Sequence, residues 1–230
     1  MQTTQGQQPV GKPSRMNWRR LVKVWVLLGL GMTVATLAGW AMLPKGGPPA
    51  DSKGATSLDG IIWPQGMAHA RPWRYIVIHH SATPSGTVEG IAQFHRDRGF
   101  QDVGYHFIIN NGRSSGTRDG EVTPTGRWLE QLPGAHASVA NHPEFNTEGI
   151  GVCLIGNFEQ RPPTPAQMTS LHMLVMALRD GCKIPLDRIV GHGELKETAC
   201  PGRLFPMDLF LMDLRAAYVK HRLLATVPAE

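Results

Sequence analysis

The sequence has few cysteines and, beyond its first 23 residues, no excess of positive charge. The three cysteines, Cys153, Cys182 and Cys200, are an odd number, so at least one thiol is unpaired. The sequence allows a disulfide between Cys153 and Cys182. Positions 1–23 hold five basic and no acidic residues, and the other 18 basic residues are balanced by 18 acidic ones. We therefore expect no nucleic acid partner.

Charged residues are absent from positions 24–43, which read VWVLLGLGMTVATLAGWAML. About 20 helical residues, at roughly 1.5 Å each, span a hydrocarbon core of about 30 Å, and the segment is predicted to be a transmembrane helix. A cleaved signal peptide is the alternative, because Ala35, Ala38 and Ala41 offer small residues for cleavage. The preceding positive charges place the N-terminus in the cytoplasm. We expect a single-pass protein of the inner (cytoplasmic) membrane with a periplasmic or extracytoplasmic domain.

Composition divides the chain into four predicted segments. These are a basic cytoplasmic segment (1–23), a transmembrane anchor (24–43), a flexible linker (44–71) and a folded domain (72–225). The linker contains GGPP and DSKG, and only Ile61, Ile62 and Trp63 in it are suited to packing. No internal repeat is present, and we expect a monomer.

Hydrophobic patterns in the folded domain predict the order β-α-β-β-β-α-β-α, and thus one α/β domain with a central mixed β-sheet flanked by helices. The apolar run Tyr75–Ile78 predicts a strand buried on both faces that ends in His79 and His80. The other predicted elements are a helix from Thr87 to Arg98, a strand from Asp102 to Asn110, a hairpin within 113–127, a strand at Gly149–Gly156, a helix from Thr164 to Gly181, a short strand at Ile189–Val190 and a helix from Pro206 to Leu223.

Two zinc-binding residue types, His192 and Cys200, lie eight positions apart in the sequence. Imidazole nitrogen and thiolate sulfur both bind zinc, and a loop of this length can bring them to one ion. The end of the first predicted strand supplies a third candidate from the pair His79 and His80. Three protein ligands and one open position are typical of a catalytic zinc site.

Four segments in order resemble the zinc-dependent N-acetylmuramoyl-L-alanine amidase family, which includes phage lysozyme-type amidases and peptidoglycan recognition proteins. They are Ile78-His-His-Ser-Ala-Thr83, Asp102-Val-Gly-Tyr-His-Phe-Ile-Ile109, Gly149-Ile-Gly-Val-Cys-Leu-Ile-Gly156 and His192-x7-Cys200-Pro201. The resemblance covers positions 75–205. It implies a zinc-dependent peptidoglycan hydrolase that cleaves the amide between N-acetylmuramic acid and the L-alanine of the stem peptide, with Zn²⁺ as its cofactor and peptidoglycan as its partner.

The resemblance also implies roles for particular residues. His79, His192 and Cys200 match the zinc ligands, while His80 and His106 are left as structural neighbours. Tyr105 matches the catalytic tyrosine, whose phenol is a hydrogen-bond donor for the oxyanion. His136 and Asn146 match a region that lines the substrate cleft. Cys153 takes the position at which cytoplasmic relatives carry a glutamate base, and is expected to be a buried apolar residue rather than a reactive thiol.

One position departs from the pattern of the phage-type enzymes. They carry lysine two residues before the last ligand, where this chain has Thr198. Active recognition proteins have threonine there, so Thr198 stays a candidate catalytic residue with a hydroxyl donor. The departure leaves open a non-catalytic peptidoglycan-binding protein of the same fold. A further alternative makes Cys200 a nucleophile with His192 as its base.

Overall fold

The structure is a computed structural model that describes residues 58–67 and 71–225. In these ranges the chain forms α1 (Leu58–Ile62), β1 (Tyr75–His80), α2 (Val88–Arg96), β2 (Phe107–Asn111), β3 (Asp119–Pro124), α3 (Gly126–Leu129), α4 (Glu144–Thr147), β4 (Gly149–Leu154), α5 (Pro165–Cys182), β5 (Ile189–Gly191), α6 (His192–Leu195) and α7 (Met207–Ala225). The longer elements follow the predicted order, and the predicted α/β class is confirmed.

The five strands form one mixed sheet in the order β3-β2-β4-β1-β5. Strand β1 pairs in parallel with both β4 and β5, and β2 pairs in parallel with β4 and antiparallel with β3. The carboxyl ends of β1, β4 and β5 therefore meet at one edge of the sheet. This edge is the usual place for a ligand site in a parallel α/β sheet, and the predicted ligands His79 and His192 both lie there.

Side chains alternate across β1 and so divide the interior into two cores. Ile76 and Ile78 belong to the larger core, which is covered by residues of α5 and α7 such as Leu174 and Leu214. The smaller core lies on the opposite face of the sheet and contains Ile108, Cys153, Ile155, Val103 and, from α2, Ala92. The same alternation directs His79 and His80 to opposite faces.

Side-chain caps start two of the helices that flank the sheet, α2 and α5. Thr87 accepts a hydrogen bond from the Gly90 amide at 3.1 Å, and α2 then runs to Arg96 rather than to the predicted Arg98. Thr164 and Gln167 form the predicted capping box of α5. The Gln167 side-chain amide also donates to the carbonyls of Ile109 and Ile155, so it joins the start of α5 to the ends of two strands.

The second predicted strand is wrong at its start, because β2 begins at Phe107 and not at Asp102. Before β2 the chain runs closely against the segment that contains Ala135, and a Cβ added to Gly104 would collide with the Ala135 carbonyl. The His106 amide donates to the Gly151 carbonyl at 2.8 Å. These contacts hold Tyr105 ahead of the regular ladder.

The predicted linker is also wrong at its carboxyl end. Helix α1 lies inside the predicted segment 44–71, and Ile62 is fully buried in the larger core. The Trp63 and Trp128 rings have centroids 5.4 Å apart. The packed domain therefore reaches back to Leu58, because these apolar side chains find a hydrophobic surface on the domain.

The predicted basic segment 1–23 and anchor 24–43 lie outside the described residues, as does the first part of the linker. Among the helices at 58–67 and 71–225, none has the length and apolar character needed to cross a membrane.

Candidate metal centre

Three predicted ligands meet at the carboxyl edge of the sheet. His79 lies near the carboxyl end of β1, and His192 follows directly after β5. Pairing of Ile78 with Gly191 places the two strands side by side, so the two imidazole centroids are 4.6 Å apart. Cys200 comes from the loop after α6. One ligand atom from each of His79, His192 and Cys200 lies within 4.8 Å of the others.

The spacing and chemistry of these atoms fit a zinc ion. The Cys200 Sγ lies 3.6 Å from the His79 Nδ1. Two such atoms on one tetrahedral zinc ion would be about 3.5 Å apart, given Zn–N and Zn–S bonds of about 2.0 and 2.3 Å. The His192 Nε2 is buried and has no hydrogen-bond partner among the described residues. A buried polar atom of this kind needs a partner, and a cation would supply one.

The loop that carries Cys200 is held against the end of β1. The His80 backbone N–H donates to the Cys200 Sγ at 3.4 Å. Gly193 permits the close return of this loop, since a Cβ there would lie 2.8 Å from the Cys200 carbonyl oxygen. Burial raises the pKa of the Cys200 thiol to about 11, so the thiol by itself stays protonated near neutral pH. A cation at the site would favour the thiolate.

Thr198 lies next to this ligand on the protein surface. Its hydroxyl oxygen accepts a hydrogen bond from the Cys200 backbone N–H at 3.3 Å, and its side chain is exposed. The neighbouring Lys196 donates from Nζ to the Ser138 carbonyl at 2.9 Å. Burial, together with the Lys196 charge, lowers the pKa of His192 to about 4. His192 is therefore neutral at neutral pH, as a metal ligand must be.

Tyr105 lies beside the metal centre and faces the smaller core. Its ring centroid is 5.1 Å from that of His79 and 5.5 Å from that of His95. Burial raises the pKa of the phenol well above its ordinary value of 10.0. The phenol therefore keeps its proton and can donate a hydrogen bond.

A cleft of about 240 Å³ opens next to Tyr105. Helix α2 lines it with Ile91, Phe94 and His95, and the loop after β1 contributes Ser81. The Phe94 side chain is 49% exposed, so this large apolar ring borders the cleft and is not enclosed in the core. The signal for the cleft was the adjacent Phe94 and His95 near the end of a helix, a pattern also common on ordinary helices.

His136 and Asn146, the two predicted substrate-binding residues, make hydrogen bonds to other parts of the protein. The His136 ring is 8% exposed, and its two nitrogens face the His79 ring and the Gly149 carbonyl. The Asn146 side-chain oxygen accepts from the backbone N–H groups of His136 and Ala137. Both residues are thus engaged in hydrogen bonds within the protein, and their role in substrate binding stays a prediction.

The remaining histidines and cysteines have structural environments. The His80 Nδ1 accepts from the Phe158 backbone N–H at 3.2 Å on the face opposite His79. The two His106 nitrogens pair with the Gly151 amide and the Leu132 carbonyl. Cys153 is fully buried and burial raises its pKa well above 9.0, which disfavours a reactive thiolate. The three cysteines are free; Cys153 belongs to the smaller core, whereas Cys182 packs on the larger one.

Two imidazoles and a thiol, with a buried phenol beside them, form a group that could hold a metal ion. The chain belongs to the N-acetylmuramoyl-L-alanine amidase family, whose sequence pattern matches residues 69–203.

Two similar proteins agree with this membership. The chain is similar to the endolysin of Escherichia phage T7, with 40% identity over 134 residues, which are 55% of this chain and 78% of the relative. It is also 31% identical over 160 residues to peptidoglycan-recognition protein LB of Drosophila melanogaster, covering 64% of this chain and 62% of that protein.

A solved structure supports the fold. The chain resembles the N-acetylmuramoyl-L-alanine amidase LysC from Clostridium intestinale URNW with a TM-score of 0.54 and 30% sequence identity. The match covers 63% of this chain and 87% of that chain.

Proposed function

We propose that the protein is a zinc-dependent N-acetylmuramoyl-L-alanine amidase, which hydrolyses the amide between N-acetylmuramic acid and the L-alanine of the stem peptide. The observation that carries the proposal is the convergence of His79, His192 and Cys200, whose ligand atoms lie within 4.8 Å of one another. Membership of the amidase family supports peptidoglycan as the substrate.

His79, His192 and Cys200 would hold the ion. A bound zinc ion supplies Lewis acidity, which polarises the amide carbonyl and activates water near neutral pH. The protein contributes the protonated Tyr105 phenol, which donates a hydrogen bond to the carbonyl oxygen as negative charge develops on it. The exposed Thr198 hydroxyl is a second donor at the rim of the site. The cleft beside Tyr105 would hold part of the substrate next to the reacting amide.

The competing chemistry, with Cys200 as nucleophile, is disfavoured by the environment of its thiol. A nucleophilic cysteine needs a depressed pKa, but burial raises the pKa of Cys200 to about 11. The low pKa of His192 makes it a weak base for removing that proton.

We also propose that positions 24–43 anchor the protein in the inner membrane as a single-pass helix, with the amidase domain on the periplasmic or extracytoplasmic side. The uncharged run of twenty residues and the basic residues before it support this arrangement. Carbonate extraction of membranes, together with protease accessibility of the domain, tests it. Recovery of a shortened soluble chain would instead identify a cleaved signal peptide.

The amidase proposal is tested by release of stem peptide from purified peptidoglycan. The full-length chain should release peptide, lose this activity with a chelator and regain it on addition of zinc. The His192→Ala variant should be inactive because it lacks one ligand. Walls with different stem-peptide chemistry should be included to establish which stem peptides the protein cleaves. A chain that binds peptidoglycan but releases no peptide from any wall would be the non-catalytic binding protein, an alternative raised by Thr198.

A further inference from the structure

His136 lies behind the metal centre, in a slot that fixes the orientation of its ring. The ring packs against Gly134 and Gly151, and a Cβ added to either glycine would collide with it. The Asn146 side-chain oxygen accepts the His136 backbone N–H at 2.9 Å and so holds the loop in place. The hydrogen bond from the His136 backbone and the contacts with Gly134 and Gly151 therefore fix the position of the ring.

The two nitrogens of the His136 ring link the start of β4 to a metal ligand. The His136 Nε2 lies 3.1 Å from the Gly149 carbonyl oxygen, and its Nδ1 lies 3.1 Å from the His79 Nε2. A carbonyl oxygen can only accept, so the His136 Nε2 carries a proton. The Nδ1 of the neutral ring is then an acceptor, and the His79 Nε2 must be the donor.

This chain of hydrogen bonds selects one tautomer of His79. With its single proton on Nε2, neutral His79 has a lone pair on Nδ1, the atom that lies 3.6 Å from the Cys200 Sγ. The other tautomer would place an N–H towards Cys200 and leave two lone pairs facing each other between His79 and His136. Both the orientation and the protonation of His79 thus depend on the residue behind it.

We propose that His136 is a positioning residue that presents the His79 Nδ1 as the metal-binding atom through the chain Gly149–His136–His79. The inference rests on the proposed zinc site, since it concerns how one ligand of that site is held. Groups that hold a metal-binding imidazole by its other nitrogen commonly change metal affinity or activity by about 10- to 100-fold when replaced.

Three substitutions separate the two hydrogen bonds of His136. His136→Asn keeps an acceptor oxygen close to the position of Nδ1, whereas His136→Gln places its amide near the position of Nε2. His136→Leu removes both bonds and keeps an apolar side chain of similar reach. Zinc affinity is measured by competition with a chromophoric chelator on the full-length chain, and the absorption spectrum of the cobalt-loaded protein reports the ligand geometry.

We expect His136→Leu to bind zinc roughly 10- to 100-fold more weakly than the wild type, and His136→Asn to recover most of the loss. The cobalt spectrum of the Asn variant should remain close to that of the wild type. Unchanged zinc affinity in the Leu variant would overturn the inference. If the Leu variant does not fold, the comparison of His136→Asn with His136→Gln decides. The Gln variant should bind zinc more weakly than the Asn variant, and the reverse order would contradict the proposal.

The tautomer itself can be read in the unaltered protein. Ring ¹⁵N chemical shifts of the zinc-free wild type at neutral pH should show protonated Nε2 and bare Nδ1 in both His79 and His136. The opposite tautomer of His79 would overturn this inference and leave the amidase proposal untouched. Zinc binding with the expected tautomer but without peptide release would contradict the amidase proposal and leave this inference standing. The failure of one proposal can therefore be told from the failure of the other.

Discussion

The Trp128 indole Nε1 donates a hydrogen bond to the Ile62 carbonyl oxygen at 2.6 Å, and both side chains are fully buried. The two residues are 66 positions apart, and the contact closes the larger core with a segment that resembles a linker in sequence. Residues 58–63 therefore contribute to the stability of the domain.

Ile62→Ala is predicted to destabilise the domain by about 2–5 kcal/mol, because it removes a fully buried side chain and leaves a cavity. Urea unfolding of the full-length chain measures the effect. Gln65→Ala is the matched control in the same segment, since Gln65 is exposed and its truncation should change stability by less than about 0.5 kcal/mol. Equal stability of the Ile62→Ala variant and the wild type would show that the segment behaves as a linker.

Tyr105→Phe is predicted to lower kcat by about 10²- to 10³-fold, the usual effect of removing one oxyanion donor. The ring remains, so its contacts with His79 and His95 should persist. Zinc affinity and the free energy of unfolding should therefore change little. The comparison of kcat with zinc stoichiometry in the same sample checks this, and a loss of zinc in place of a loss of turnover would assign the phenol to the metal site.

Thr198→Lys is predicted not to lower activity. Thr198 is exposed, so a longer side chain can enter solvent without displacing the core, and the added charge stands beside the site of developing negative charge. Thr198→Val removes the hydroxyl at nearly constant size and tests the threonine itself. Rates of stem-peptide release from the same wall preparation measure both variants. A strong loss of activity in Thr198→Lys would mean that the hydroxyl, with its bond to the Cys200 amide, is needed for the loop.

The zinc-free protein is predicted to lose stability as pH falls below about 6.5. Burial lowers the pKa of His106 well below its ordinary value of 6.5, so the folded state does not take up a proton that the unfolded chain binds. The free energy of unfolding is therefore unaffected by this histidine above its unfolded pKa. Below that pKa it decreases by about 1.4 kcal/mol per pH unit for each such histidine, until the folded state also takes up the proton. Urea unfolding at several pH values between 7 and 5 gives the slope. His106→Gln should reduce the slope, and a pH-independent free energy of unfolding in the wild type would contradict the assignment.

Local sequence patterns were sufficient for most of the regular structure. The Tyr75–His80 strand and the Thr164 capping box were found as predicted, since both depend on neighbouring residues. Alternation along β1 was also enough to separate His79 from His80, because adjacent side chains of a strand face opposite sides. Helix α1 and the start of β2 were not found, because their geometry depends on Trp128 and Ala135, which lie far away in the sequence.

The sequence by itself determined which residue types are available for a metal site and, through the pattern of its strands, that His79 and His192 each lie at the end of a strand. Only the tertiary structure decided how these residues are used. The His136 Nδ1 lies 3.1 Å from the His79 Nε2 across 57 positions of the chain, a contact that was not predicted. Sequence spacing carries no information about such a contact, because burial, the two glycines beside the ring and the Gly149 carbonyl select it only when the loop packs on the folded sheet.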